Sequence, residues 1–98
     1  RAIMVTSGAA SNPRAFWGAY AVTKAALETL VHVWASELAD TNVRVNLLNP
    51  GATRTGMRAA AFPGEDPQTL KLPEDITGTF VELASPDCTR HDELIDID

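Results

Sequence analysis

Tyr20 and Lys24 stand four residues apart in the run Ala19-Tyr20-Ala21-Val22-Thr23-Lys24-Ala25-Ala26-Leu27, which contains neither proline nor glycine. On a helix advancing about 100° per residue the two side chains lie ~40° apart, one turn above the other. A phenol beside an ammonium suits acid–base work on a carbonyl or carbinol oxygen. Free tyrosine ionises near pH 10, about three units too high to trade protons at neutrality, and the gap amounts to roughly 4 kcal/mol. A cation about 4 Å away supplies that much at an effective dielectric near 20, whereas an aspartate would push the wrong way. A single lysine one turn on is therefore adequate as the tuner.

The element that must hold this pair is predicted as one amphipathic helix from about Trp17 to Ala39. With Tyr20 taken as zero, Leu27, Val31, Trp34 and Leu38 fall within roughly 40° of the same line. The phenol and the ammonium thus open the most apolar stripe of the helix, and a lysine directed along a core-facing stripe needs a reason. Glu28, Thr29, His32 and Ser36 are expected on the polar arc. Ala26, Leu30 and Val33 form a second apolar flank.

Before the helix, Ala2-Ile3-Met4-Val5-Thr6 reads as a buried parallel strand, apolar on both faces and ended by Ser7-Gly8. Residues 8–16 read as a loop. After the helix, Val43-Arg44-Val45-Asn46-Leu47-Leu48 reads as a second strand, closed by Asn49-Pro50-Gly51. Thr53 to Phe62 is alanine-rich with room for a short helix, and Pro63-Gly64-Glu65-Asp66-Pro67 is a loop. Pro73-Glu74-Asp75 should open a helix, proline and acids in its first turn, that carries Ile76, Phe80, Val81, Leu83 and Ala84. Residues 93–98 alternate like a last strand with one wet face. Strand, helix, strand, helix, strand implies a parallel sheet covered by helices, with sites beyond the carboxyl ends of its strands. Ser7, the start of the Tyr20 helix and Pro50-Gly51 all fall on that rim.

Size and composition bound the rest. Ninety-eight residues, 45% of them hydrophobic, suffice for one small packed domain. A net charge of −5 argues against nucleic acid or an anionic membrane as partner. Asp87, Asp92, Glu93, Asp96 and Asp98 crowd the last residues and read as a solvated end. Cys88 is the only cysteine, which suits a reducing compartment, and the cytoplasm is expected. His91 and Cys88, with Asp87 and Asp92 near, lack metal-ligand spacing, so no metal is expected. Trp17 and Trp34 read as packing residues, His32 as solvent-facing, and Arg54 and Arg58 as salt-bridge partners of nearby acids.

Tyr20-x-x-x-Lys24, Ser7 thirteen residues earlier, and Asn49-Pro50-Gly51-x-x-x-Thr55 after the next strand together resemble the short-chain dehydrogenases/reductases. Val5-Thr6-Ser7, Trp17-Gly18-Ala19-Tyr20 and Ala52-Thr53-Arg54-Thr55-Gly56-Met57-Arg58 are similar to a bacterial subgroup of that family, and the likeness covers essentially the whole chain. The resemblance implies a partial Rossmann-like, doubly wound parallel sheet, residues 1–98 forming one domain with a substrate lid at about 53–72. It implies an NAD(P)-dependent oxidoreductase that interconverts a carbonyl and an alcohol, with NADP modestly preferred over NAD. Tyr20 would be the general acid/base, Lys24 would tune it and hold the nicotinamide ribose, and Ser7 would orient the substrate oxygen. Pro50, Gly51, Thr53 and Thr55 would border the cofactor. The Ala26, Leu30 and Val33 flank would pack against a second subunit in a homodimer or homotetramer.

The family's glycine-rich phosphate loop, its active-site asparagine and the Asp-Gly-Gly after its last strand have no counterpart here, so the chain is expected to be the C-terminal half of such an enzyme and inactive alone. Two rival readings are a non-catalytic half-domain acting in dimerisation or complementation, and a hydrolase built on Ser7 and Lys24. Ser11 competes with Ser7 but lies closer to Tyr20 in sequence than the resemblance asks.

Overall fold

The computed structural model describes residues 1–97, and Asp98 lies outside the described residues. Three parallel strands, β1 (Ala2–Val5), β2 (Val45–Asn49) and β3 (Leu94–Asp96), form one sheet in the order β1-β2-β3. Ala2 pairs with Val45 and Val5 with Leu48 on one side of β2, and Leu48 pairs with Ile95 on the other. The long helix α1 (Gly18–Glu37) connects β1 to β2. Between β2 and β3 lie α2 (Gly56–Ala61), short 3₁₀ turns at Pro67–Thr69 and Pro73–Asp75, and α3 (Thr77–Ala84).

Every residue of β2 is buried, as a central strand paired on both edges requires. Val45 and Leu47 point to α1 and pack with Val31 and Ala35, and Leu27, Trp34, Ala2 and Met4 close the cluster. The expected stripe of α1 is therefore the one that meets the sheet. Asn46, buried among these strands, donates to the Arg90 carbonyl (3.0 Å) and accepts from the Glu93 N–H (3.1 Å), so its amide ties β3's approach to β2.

Four expectations need correction. β1 is only half-buried, and Val5 is exposed, because it is the sheet's edge strand rather than an interior one. Pro73-Glu74-Asp75 does not open α3. The Asp75 carboxylate accepts from the Leu72 N–H (2.8 Å) to close a separate 3₁₀ turn, and α3 begins only after Ile76, whose ψ of −7° interrupts the helix. Glu28 does not stand on a polar arc; it is half-buried and accepts a hydrogen bond from the hydroxyl of Thr6. The acidic end is not simply solvated, since Asp92 pairs with His32 (2.6 Å) and Asp96 accepts from Asn49 (3.4 Å). His91 is a structural link: it accepts from the Val45 N–H at Nδ1 and faces the Ala35 carbonyl with Nε2, which fixes the Nε2–H tautomer.

Candidate active site

A cavity of about 630 Å³ opens beyond the carboxyl ends of β1 and β2. Ser7, Tyr20, Lys24, Pro50, Gly51, Thr53 and Thr55 all line it. The seven residues singled out from the sequence are thus brought to one crevice, on the rim where parallel sheets collect their sites. Ser11 is exposed, bonds back to the Gly8 carbonyl (3.3 Å) and does not line the cavity.

The end of β1 is stitched to α1 by two rungs. Lys24 Nζ donates to the Val5 carbonyl (3.1 Å), and Thr6 Oγ1 donates to Glu28 Oε2 (2.5 Å). Thr6 N–H also continues the ladder to the Leu48 carbonyl (2.9 Å). The next residue, Ser7, is extended, and its Oγ accepts from the Ala9 N–H (3.2 Å), capping the 3₁₀ turn Gly8–Ala10. That contact uses Oγ as an acceptor and leaves its proton to be donated elsewhere.

Lys24 Nζ lies 5.8 Å from the centre of the Tyr20 ring, on the same side of α1. This is the one-turn neighbourhood that their spacing predicts. Trp17 meets the phenol edge-on (centroids 5.9 Å, planes at 78°) and stacks on Phe62 (5.5 Å, 15°). Trp17 is a packing residue, as expected, and its partners are the phenol and the segment after β2. Lys24 donates to Val5 and not to Ser7, so the pair that a Ser–Lys hydrolase requires is not formed.

At the end of β2, Asn49 Oδ1 accepts from the Gly51 N–H (3.0 Å) in a side-chain-closed turn, and Gly51 has φ of 71°, the left-handed region that favours glycine. Thr53 Oγ1 donates to the Gly51 carbonyl (3.2 Å). Thr55 Oγ1 accepts from the Arg58 N–H (3.1 Å), which makes it the N-cap of α2.

The segment 53–72 is tied into a flap. Thr53 bridges to Lys71, the Arg54 N–H donates to the Lys71 carbonyl (2.7 Å), and Arg54 Nε donates to the Pro67 carbonyl (2.8 Å) rather than to an acid. Arg58 grips Glu65 through Nε and Nη2 (2.8 and 2.9 Å) and covers the Phe62 ring at 3.8 Å. Hydrogen bonding from Arg58, the largest influence, holds the Glu65 carboxyl below the usual glutamate range; desolvation opposes it, and the Arg58 charge, the smallest of the three, adds to the lowering.

Sequence reasoning missed Glu28, Thr6, Arg14, Met57 and Ile76. Arg14, Met57, Ile76 and Thr6 line the cavity, and Glu28 accepts the hydrogen bond of the Thr6 hydroxyl. A signal for Glu28 existed: four residues beyond Lys24 it continues the Tyr20–Lys24 ladder and lies only ~80° from the apolar line. Among the described residues, no aspartate or glutamate lines the cavity.

A family model described as short chain dehydrogenase matches residues 1–66. The chain is 47% identical to the uncharacterized oxidoreductase YciK of Escherichia coli K12 over 88 residues, covering 90% of this chain and 34% of that protein. It superposes on a short chain dehydrogenase from Salmonella enterica serovar Typhi with a TM-score of 0.91 at 44% identity, covering 96% of this chain and 39% of that one. A short chain dehydrogenase from Escherichia coli CFT073, solved in complex with NADPH, matches with a TM-score of 0.87 at 42% identity, over 96% of this chain and 39% of that one. The three-stranded sheet and its helices are part of the Rossmann-type fold of those structures. The chain spans about a third of the length of the curated relative it matches.

Proposed function

The chain belongs to the short chain dehydrogenase family, and from that premise we propose that it supplies the catalytic half of an NAD(P)-dependent oxidoreductase interconverting a carbonyl and an alcohol. The observation that carries this reading is the gathering of Ser7, Tyr20 and Lys24 around one cavity, with the ammonium held between a strand-end carbonyl and the phenol ring. In the reduction direction Tyr20 gives its hydroxyl proton to the substrate oxygen, and in oxidation takes it back. Ser7 donates a hydrogen bond to that same oxygen and fixes its place. Lys24 stabilises the phenolate that forms when the proton leaves.

The residues at the rim fit a dinucleotide. A wall that, among the described residues, carries no carboxylate does not repel phosphate, and the Gly51 turn presents backbone with no side chain in the way. Lys24 would hold the nicotinamide ribose, Pro50 and Gly51 would border the nicotinamide, and Thr53 and Thr55 the pyrophosphate, Thr53 by backbone and Thr55 by side chain. When bound, the nicotinamide supplies or accepts the hydride. NADP is the preferred form, a preference supported by the relative solved with NADPH.

Residues 1–98 act as one partial domain, and the flap at 53–72 is the substrate lid, a reading supported by the stacking of its Phe62 on Trp17. The enzyme self-associates as a homodimer or homotetramer through the flank of α1 on which Leu30 (62% exposed) and Val33 (52%) stand uncovered. No helix among the described residues is long and apolar enough to cross a membrane, and a single cysteine fits a cytoplasmic enzyme. Tyr20→Phe in the full-length protein should lower turnover by about two to four decades while NADPH, followed by its fluorescence, still binds. Undiminished turnover in that variant removes Tyr20 from the mechanism.

A further inference from the structure

We propose that the cavity takes a substrate that carries a carboxylate beside a flat apolar body, and that Arg14 receives the carboxylate. This rests on the oxidoreductase reading above and adds the substrate class to it. The chain has a net charge of −5, yet the cavity is lined by Arg14, Lys24 and Arg58 and, among the described residues, by no acid.

Two of those cations are committed. Lys24 donates to the Val5 carbonyl beside the Tyr20 ring, and Arg58 grips both oxygens of Glu65. Arg14 forms no ion pair among the described residues. Its place follows from the turn before α1, in which the Trp17 N–H donates to the Arg14 carbonyl (3.2 Å). Trp17 meets the phenol edge-on and stacks on Phe62. Arg14, an exposed residue of that turn, thus lines the same cavity as Tyr20, while Lys24 is bonded to the end of β1.

One uncommitted guanidinium matches one negative charge. Its planar fork fits the two oxygens of a carboxylate, whereas a phosphate dianion calls for a second cation. With no acid among the described lining residues to offset it, its field draws an anion into the crevice. The stacked rings of Trp17 and Phe62, with Met57 and Ile76 also lining the cavity, offer the rest of the ligand an apolar wall that suits a ring.

The test uses the full-length enzyme and two matched pairs of probes: benzoate with methyl benzoate for binding, and 3-oxocyclohexanecarboxylate with its methyl ester for NADPH-dependent turnover. Binding is read from tryptophan fluorescence, which does not depend on catalysis. The acid of each pair should be favoured over its ester, and Arg14→Gln should shrink that preference about ten- to hundredfold, the span of a charge-assisted hydrogen bond to an anion. Arg14→Lys should keep part of it. Acid and ester bound alike by the unaltered enzyme, or a preference that survives Arg14→Gln, overturns the proposal. Tyr20→Phe separates the two ideas: if it turns over the ketone like its parent the oxidoreductase reading falls, while the acid-to-ester binding ratio still decides the role of Arg14.

Discussion

Glu28→Ala should destabilise the folded protein by about 1–3 kcal/mol, and through Thr6 rather than through the helix. On helix propensity alone the change is slightly favourable, because alanine is the better helix former. The opposing effect comes from Thr6, only 4% exposed, whose hydroxyl donates to Glu28 Oε2 at 2.5 Å. Without that acceptor a buried hydroxyl has no partner. The strand end cannot swing out to meet water, since the Thr6 N–H is bonded to Leu48 and the Val5 carbonyl to Lys24. Glu28→Gln keeps an oxygen at the same reach and should lose about half as much, the charge-assisted share. Thr6→Val is the milder half of the pair, because it leaves behind a carboxylate that is only half-buried and can find water. Combined, the two changes should couple by about 1–2 kcal/mol in a double-mutant cycle. Urea unfolding of the full-length enzyme, followed by tryptophan fluorescence at one fixed protein concentration, measures all four members. A Glu28→Ala protein as stable as its parent, or coupling below about 0.5 kcal/mol, would refute the account of this rung.

Gly51→Ala should cost about 1–2 kcal/mol, because φ of 71° places the new Cβ against its own carbonyl, and urea midpoints would read the loss directly. The Arg58–Glu65 pair sets an acid limit on the flap. Its carboxyl sits below the usual glutamate range when folded, so the pair's contribution is present above the unfolded value and is lost as pH falls through the lowered one. Arg58→Met should therefore flatten the acid side of the stability–pH curve, and a curve parallel to the parent's would count against the pairing. Trp17→Ala, which removes the ring that Phe62 stacks on, should raise KM more than it lowers kcat if the flap closes over substrate, a split that steady-state kinetics resolves.

Much of the architecture was legible in one dimension because it depends on short-range periodicity. The apolar stripe of α1 follows from a 3.6-residue repeat, and Leu27, Val31 and Trp34 do meet the sheet. A four-residue interval likewise fixes Tyr20 and Lys24 on one side of the helix, whatever surrounds it. Strand ends and turn residues placed Ser7 and Pro50-Gly51 on one rim, since a parallel sheet aligns its carboxyl ends.

What the tertiary structure alone decided concerns groups distant along the chain. Thr6 and Glu28 are 22 residues apart, and Trp17 and Phe62 are 45 apart, so no local repeat links them. Glu28 looked solvent-facing because a helical wheel takes no account of which strand end lies above it. The break at Ile76 escaped notice because Asp75 spends its carboxylate on the Leu72 N–H, a competition between turn and helix that composition does not register. Sequence by itself set which side chains share a face; only the packed chain decided which faces meet, because contact between remote segments is fixed by the whole core and not by any stretch of it.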